Sequence, residues 1–588
     1  MKKFLVILLA LIGALVIAGV VVAAGVAAIT MTAKGGVSKA TVLEIDFEQL
    51  IVEYVREEPF SKILYGKQLT TRDVVDALAK ASEDERVVGL VARVGNGAMG
   101  LAQIQEIRDA VIRFRESGKV AVAYGETFGE VGPGNGAYYL ATAFDEIYLQ
   151  PSGDIGLTGL MYESPFISGA LHKLGLAPRM DQRYEYKNAM NTYTETEFTE
   201  AHREAMQTLV DSQFEQMVKG ITEGRNLDDA EVRALIDRGP FLGQEAVDAG
   251  LADELLYRDQ VYEMVRGRAG ERADFLFLSK YLARAGRPNT RGETVALIYG
   301  VGAVTRGSSE FDPLFGEGTM GSDTVTAAFR EAIRDDDVAA IVFRVDSPGG
   351  SYVASDAIWR ETVRARDAGK PVIVTMGNVA GSGGYFVSMW ADKIIAQPGT
   401  ITASIGVLGG KFLTAGLWEK LGLSWDEVHT SAHSTMWTGT RDYSPSEWAR
   451  FQAWLDRVYD DFTAKVAEGR GMKQEDVHEI AKGRIWTGED ALEIGLVDEL
   501  GGFDTAYRAA REAAGLEADD DIRIRVYPRP KSAFEILFDE GGESSEPSAQ
   551  VAIALRLLEI ARPAARLARR VGLIEDRGAL TVELEPAP

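Results

Sequence analysis

The 588-residue sequence predicts an α/β protein of two tandem repeats, each a parallel sheet with helical crossovers, behind an N-terminal transmembrane helix. Three observations carry this prediction. Segments of the first half recur in the second at a nearly constant offset. Short apolar runs alternate with stretches of helical spacing in both halves. The chain opens with Lys2 and Lys3 followed by an uncharged apolar run from Phe4 to Ile29.

The repeat is explicit. Gly134-Asn135-Gly136-Ala137-Tyr138-Tyr139-Leu140 aligns with Gly381-Ser382-Gly383-Gly384-Tyr385-Phe386-Val387 at an offset of 247 residues. The same offset pairs Asp145-Glu146-Ile147 with Asp392-Lys393-Ile394, and Gln150-Pro151 with Gln397-Pro398. Gly250-Leu251-Ala252-Asp253-Glu254-Leu255 matches Gly495-Leu496-Val497-Asp498-Glu499-Leu500 at an offset of 245. A period this long marks a duplicated domain, because solenoid repeats run to only about 20–50 residues.

Within the second half, 338–345 reads as an apolar strand, 355–368 as a helix, 371–376 as a strand, 382–391 as a buried helix and 393–396 as a strand. The first half repeats the pattern over 87–94, 102–116, 120–124 and 137–143. Strands separated by helices imply parallel pairing, since parallel neighbours need a crossover connection. Long amphipathic helices follow at about 196–224 and 444–469. The polar stretch 267–292, interrupted by apolar Phe275 to Leu278, reads as a connection. The expected organisation is therefore an anchor at 1–34, a first repeat at 35–266, a linker at 267–292, a second repeat at 293–535, and a linker with an amphipathic tail at 536–588. In the tail, 549–571 reads as a helix kinked at Pro563, with Arg562, Arg566, Arg569 and Arg570 late in it. Docking on the body, a subunit contact and a membrane-surface position are all open to it.

The N-terminal run decides topology. A cleavable export signal has an apolar core of roughly 7–15 residues, whereas about 20 are needed to cross a bilayer. Residues 4–29 are long enough to span. The two lysines should stay inside, giving a single-pass inner-membrane protein with a cytoplasmic N-terminus and a periplasmic body. A long signal cut near Ala23 to Ala28 would also export the body.

Composition removes several classes. A net charge of −25 gives no basic footprint for displacing counterions from phosphate, so no nucleic-acid partner is expected. With no cysteine there is no disulfide framework, thiolate metal site or cysteine nucleophile. The chain has no His-Glu-x-x-His and no phosphate-loop motif, so neither metal nor cofactor is expected.

Ser382 is the first chemical candidate. It follows a strand, precedes an apolar helix and sits among Gly381, Gly383 and Gly384. Free amides and a partial positive charge at a helix start favour a developing anion. The plainer reading is an N-cap, for which serine is a preferred residue. The repeat informs the choice: Asn135 stands at the twin position, so the helix forms without a hydroxyl. Arg344-Val345-Asp346-Ser347-Pro348-Gly349-Gly350 carries a Gly-rich turn able to aim amides at an oxyanion, while the first half has Arg93-Val94-Gly95-Asn96-Gly97. Lys187, beside Arg183 and Glu185, reads by itself as a solvated surface lysine. Of the five histidines, His429 and His433 follow the second core, and surface-loop positions are expected for them.

The segments RVDSPGG (344–350), GSGGY (381–385) and TASIGV (402–407) resemble the signatures of the signal peptide peptidase A family, serine–lysine proteases of the Clp protease/crotonase superfamily. Tyr186-Lys187-Asn188-Ala189-Met190 resembles the segment that holds that family's catalytic lysine, with Asn188 where a serine is more usual. The resemblance spans about 40–530 and matches the long, duplicated, membrane-anchored form. It implies two Clp protease/crotonase-like repeats, with Ser382 as nucleophile, Lys187 as general base and Ser404 as the hydroxyl orienting the lysine. It also implies an oxyanion hole from the amides of Gly383 and Gly350, with Gly349 beside them. The twin of Lys187 is Ser434, so nucleophile and base would come from different repeats. The implied activity is acyl-enzyme hydrolysis of cleaved signal peptides and other apolar unfolded peptides, in a homo-oligomer, a tetramer by resemblance. A non-catalytic membrane scaffold or chaperone and a crotonase-like acyl-transfer enzyme are the competing readings.

Overall fold

The strands of both repeats are apolar on both faces, the pattern of a parallel sheet covered on each side. The computed structural model describes residues 36–55, 68–95, 97–270, 272–312 and 317–529. The apolar run 4–29 and the tail at 536–588 lie outside the described residues. Among the described residues, no helix is long and apolar enough to cross a membrane.

In the first repeat, β1 (Thr41–Asp46), β2 (Val87–Arg93), β3 (Val120–Gly125) and β4 (Glu146–Leu149) alternate with α1 (Thr71–Glu83), α2 (Leu101–Glu116) and α3 (Asn135–Ala141). The chain then leaves the sheet as β5 (Ala177–Gln182) and forms the long helix α4 (Glu200–Arg225). It returns as β6 (Glu254–Leu255) and β7 (Asp274–Phe277), followed by α5 (Leu278–Ala285). The sheet order is β6-β4-β3-β2-β1-β7, and every pair is parallel.

The second repeat retraces this path with β8 (Glu293–Val301), β9 (Val338–Ser347), β10 (Val372–Gly381) and β11 (Lys393–Ala396). Then come β12 (Ile401–Ala403), β13 (Leu408–Leu413), β14 (Ile485–Thr487), β15 (Glu499–Leu500) and β16 (Ile522–Tyr527). Its helices include α6 (Tyr352–Asp367), α7 (Gly383–Phe386), α8 (Pro445–Arg470) and α9 (Phe503–Ala513). The helix expected over 382–391 is only four residues long, and turns follow it. Strand β10 overshoots its first-repeat twin. Its first part pairs with β11 and its last three residues with β12, which carries the chain as far as Gly381.

Three features place the site. First, the stretch expected to be a linker, 267–292, is folded: β7 is the edge strand of the first sheet, and Leu278, Tyr281 and Leu282 of α5 are buried. The apolar residues inside that polar stretch are there to pack. Second, the repeats share a core. Val295, Leu297, Ala340, Val342 and Ile373 of the second sheet belong to one buried cluster with Phe47, Val74 and Ile107 of the first repeat. The intervening Ala296, Ile298, Ile341, Phe343 and Val374 face the second repeat's own helices, as the two-residue period of a strand requires. Third, β5 pairs antiparallel with β13, from Ala177–Leu413 to Gln182–Leu408, and the ladder continues with the Arg183 amide donating to the Val407 carbonyl at 2.8 Å. This backbone ribbon carries the first repeat's chain directly into the second repeat.

Candidate active site

Lys187, Ser382, Ser404, Gly350 and Gly383 all line one cleft of about 630 Å³. Each reaches it by a local backbone necessity.

Ser382 sits at the exit of β10 with φ 53° and ψ −115°, a region where a Cβ is strained. Its amide donates to the Ala403 carbonyl at 2.7 Å, which fixes the sharp turn. The side chain makes no cap hydrogen bond to α7, so the N-cap reading of this serine does not hold. Its hydroxyl is left at the cleft.

Gly349 and Gly350 lie directly on that turn. A Cβ on Gly349 (φ 95°) would stand 2.5 Å from the Gly383 nitrogen and 2.7 Å from the Ser382 Cβ, so only glycine allows the approach. A Cβ on Gly383 would in turn lie 3.1 Å from the Gly350 nitrogen. The amides of Gly350 and Gly383 therefore border the same space, and among the described residues neither donates to an acceptor. The Gly349 amide is occupied by the Ser347 hydroxyl at 3.2 Å. Two free amides beside a strained serine can hold an oxyanion.

Lys187 arrives from the first repeat at the end of the ribbon. The Tyr186 amide donates to the Lys482 carbonyl at 3.1 Å, pinning the segment to the second repeat. The Lys187 ammonium nitrogen Nζ donates to the Ser404 carbonyl at 2.7 Å and to Ser404 Oγ at 2.9 Å. Ser404 itself is held at φ 51°, its amide donating to the Arg484 carbonyl at 2.9 Å. Two glycines wall the lysine stem. A Cβ on Gly483 would stand 2.5 Å from the Lys187 Cβ, and one on Gly406 3.2 Å from its Cδ. This burial pushes the amine down to about 7, where a large neutral fraction exists at ordinary pH. A neutral amine, a hydroxyl and free amides in one cleft are the components of a triad variant without histidine.

The histidines separate cleanly. His429 lies in an exposed loop 3.7 Å from Glu427, and His433 Nε2 is 3.1 Å from Ser446 Oγ, also at the surface. Neither lines the cleft. His202, on α4, does line it, buried against Phe198, and desolvation lowers its pKa. Sequence reasoning missed His202 and Gly483, which no local pattern marks, and assigned no role to Gly406 although it lies within the TASIGV segment. Their position exists only because the ribbon brings the two repeats together.

The twin positions show a filled site. Asn135 is the first residue of α3 rather than its cap, a place taken by Gly134. Its Oδ1 accepts the amides of Thr158 and Gly159 at 2.9 and 3.1 Å, and its Nδ2 donates to the Gly159 carbonyl at 2.8 Å. The side chain thus stitches a loop shut where the second repeat keeps a free hydroxyl. Ser434 lies in an exposed turn, its Oγ 2.7 Å from that of Ser431. Restoring serine at 135 and lysine at 434 in a Ser382→Ala background is therefore expected to give no acylation by a fluorophosphonate, read by intact mass. Label at position 135 would show that the first repeat still holds a working oxyanion site.

Two stretches of the chain, 113–270 and 364–517, match peptidase family S49, one in each repeat. The chain is 32% identical over 458 residues to protease 4 of Salmonella typhi, covering 76% of this chain and 72% of that protein. It is 30% identical over 484 residues to protease 4 of Haemophilus influenzae, covering 78% and 75%. It is 28% identical over 495 residues to the chloroplastic serine protease SPPA of Arabidopsis thaliana, covering 82% and 71%. With one family match in each repeat and protease 4 relatives aligned across most of its length, the chain belongs to peptidase family S49 and is a serine protease of the SppA kind.

Proposed function

We propose that the protein is an endopeptidase in which Ser382 is the nucleophile and Lys187 the general base, acting on apolar, unfolded peptides such as cleaved signal peptides. The observation that carries this reading is the Lys187 amine, buried to a pKa of about 7 and held by Ser404 in the cleft that Ser382 lines. Ser382 Oγ attacks the scissile carbonyl carbon while its proton passes to Lys187 Nζ. The carbonyl oxygen becomes the oxyanion and is met by the amides of Gly350 and Gly383. Collapse breaks the C–N bond, Lys187 returns the proton to the leaving amine, and a peptidyl ester remains on Ser382. Water, deprotonated by the same amine, then hydrolyses the ester. Tyr352, Val353, Phe386, Trp454, Val458 and Phe462 make the rest of the cleft apolar, which supports apolar side chains beside the scissile bond.

The wider reading rests on the sequence. Each repeat is a Clp protease/crotonase-like unit, and residues 4–29 form a single-pass anchor that leaves the body outside the inner membrane. The active form is a homo-oligomer. An enzyme tethered at the bilayer is well placed for peptides left in it.

A fluorophosphonate probe tests the chemistry. One adduct per chain is expected, located on Ser382 by peptide mapping and absent from Ser382→Ala. An unlabelled parent would favour a scaffold, and an adduct that persists in Ser382→Ala would move the nucleophile elsewhere.

A further inference from the structure

Lys187 is walled by a turn that belongs to the other repeat, and one side chain holds that turn in place. Residues 481–485 pack across the lysine: Lys482 (φ 52°) and Gly483 (φ 86°) are both left-handed, and the Gly483 amide donates to the Ile405 carbonyl at 2.9 Å. The next residue, Arg484, reaches back to the first repeat. Its Nη2 and Nη1 donate to the two carboxylate oxygens of Glu204 on α4 at 2.8 and 3.2 Å, and Nη2 also reaches Thr208 Oγ1 at 3.4 Å. The guanidinium lies over the rings of Tyr186 at 5.0 Å and Trp486 at 4.3 Å. Its own carbonyl accepts the Ser404 amide. One residue therefore touches the neighbour of Lys187, the acceptor of Lys187, the turn that covers Lys187 and a helix of the opposite repeat.

We infer that Arg484 is a positioning residue for the cleavage, a strap that fastens the 481–485 turn to α4 and keeps the Lys187 amine dry. The inference rests on Lys187 being the base. The charged and titratable groups around that amine are Glu185 and Tyr186 on its own segment, His202 and Glu204 on α4, and Lys482 and Arg484 on the turn. Lys482 is paired with Glu479, and Tyr459 and His478 lie behind Tyr184. The cause of the low value at Lys187 is burial. Loosening the turn admits water, which solvates the ammonium form and raises the lysine pKa. The neutral amine then exists only at higher pH.

The experiment is the pH dependence of Ser382 acylation by a fluorophosphonate. In the parent the rate should be half-maximal near pH 7. In Arg484→Ala the midpoint should move up by about one pH unit or more, giving a rate roughly fivefold or more lower at pH 7 that recovers at high pH. Arg484→Lys keeps the charge but loses the fork and the stacking, and should fall between the two. Glu204→Gln loosens the strap from the other repeat and should shift the midpoint in the same direction by less. It also serves if Arg484→Ala does not fold. A uniform loss of rate with an unmoved midpoint in these variants would make Arg484 merely structural and overturn the inference. Lys187→Ala separates the two levels: if it keeps the parent's profile, the base assignment itself fails and the strap with it.

Discussion

Lys187→Ala is expected to lower kcat for peptide hydrolysis by about 10⁴-fold while KM changes little, the size of effect seen when one member of a catalytic triad is removed. Adding Ser382→Ala to it should cost nothing further, because the two residues act as one unit. Activity of the parent should fall as pH drops through about 7, where the buried amine takes up a proton. The linkage to stability runs the opposite way to that of a lysine whose pKa is raised by an acidic partner. The folded value lies below the ordinary one, so between about pH 7 and 10 the unfolded chain holds a proton that the folded chain has released. Stability therefore rises with pH across that window, and at neutral pH the buried amine is a net cost to folding. Lys187→Met should thus unfold at no lower denaturant concentration than the parent, although it is inactive. Full turnover by pure Lys187→Ala protein would remove the lysine from the mechanism.

The largest stability effect is expected at Arg344. It is fully buried at the junction of the repeats, and both of its carboxylate partners come from the first one. Its Nε and Nη2 donate to Glu53 at 2.6 and 3.2 Å, Nη2 donates to Glu106 at 2.7 Å, and Nη1 donates to Thr375 at 3.1 Å. Desolvation raises the Glu106 pKa even beside this cation. Removing the guanidinium leaves two carboxylates buried without a counter-charge, so Arg344→Ala should cost about 3–5 kcal/mol. Equilibrium unfolding in urea would show it as a lower midpoint, and a loss under about 1 kcal/mol would mean that water reaches the cluster. Replacing Arg344, Glu53 and Glu106 together by apolar residues should recover much of the loss, since the ionic cluster has no large net stability of its own. Recovery should be incomplete, because Glu106 also accepts the Phe503 amide at 2.6 Å.

The elements with long apolar runs were legible from residues alone. Strands 87–93, 120–125, 338–347 and 393–396 and the long helices 200–225 and 445–470 fall where periodicity put them. Ribbon strand Ala177–Gln182 did not announce itself: it is half-exposed on both faces and has no alternation for a pattern to detect. The linker reading failed for a related reason, since an edge strand flanked by charged residues reads as connection until its partner is known. The chemical residues divide in the same way. Ser382 stood out because its glycines are adjacent in sequence. Lys187 did not, because everything that desolvates it (Ser404, Gly406 and Gly483) is far along the chain and meets it only through the ribbon. Only the family resemblance pointed to it.

The same arrangement makes the proposed base conditional on the folding of the second repeat. During synthesis Lys187 emerges long before strand Leu408–Leu413 and the turn at Gly483 that enclose it. Until that strand arrives, the lysine is a solvated ammonium ion that cannot accept a proton. On the proposed mechanism, a chain whose second repeat has not folded therefore lacks the neutral amine that would activate Ser382.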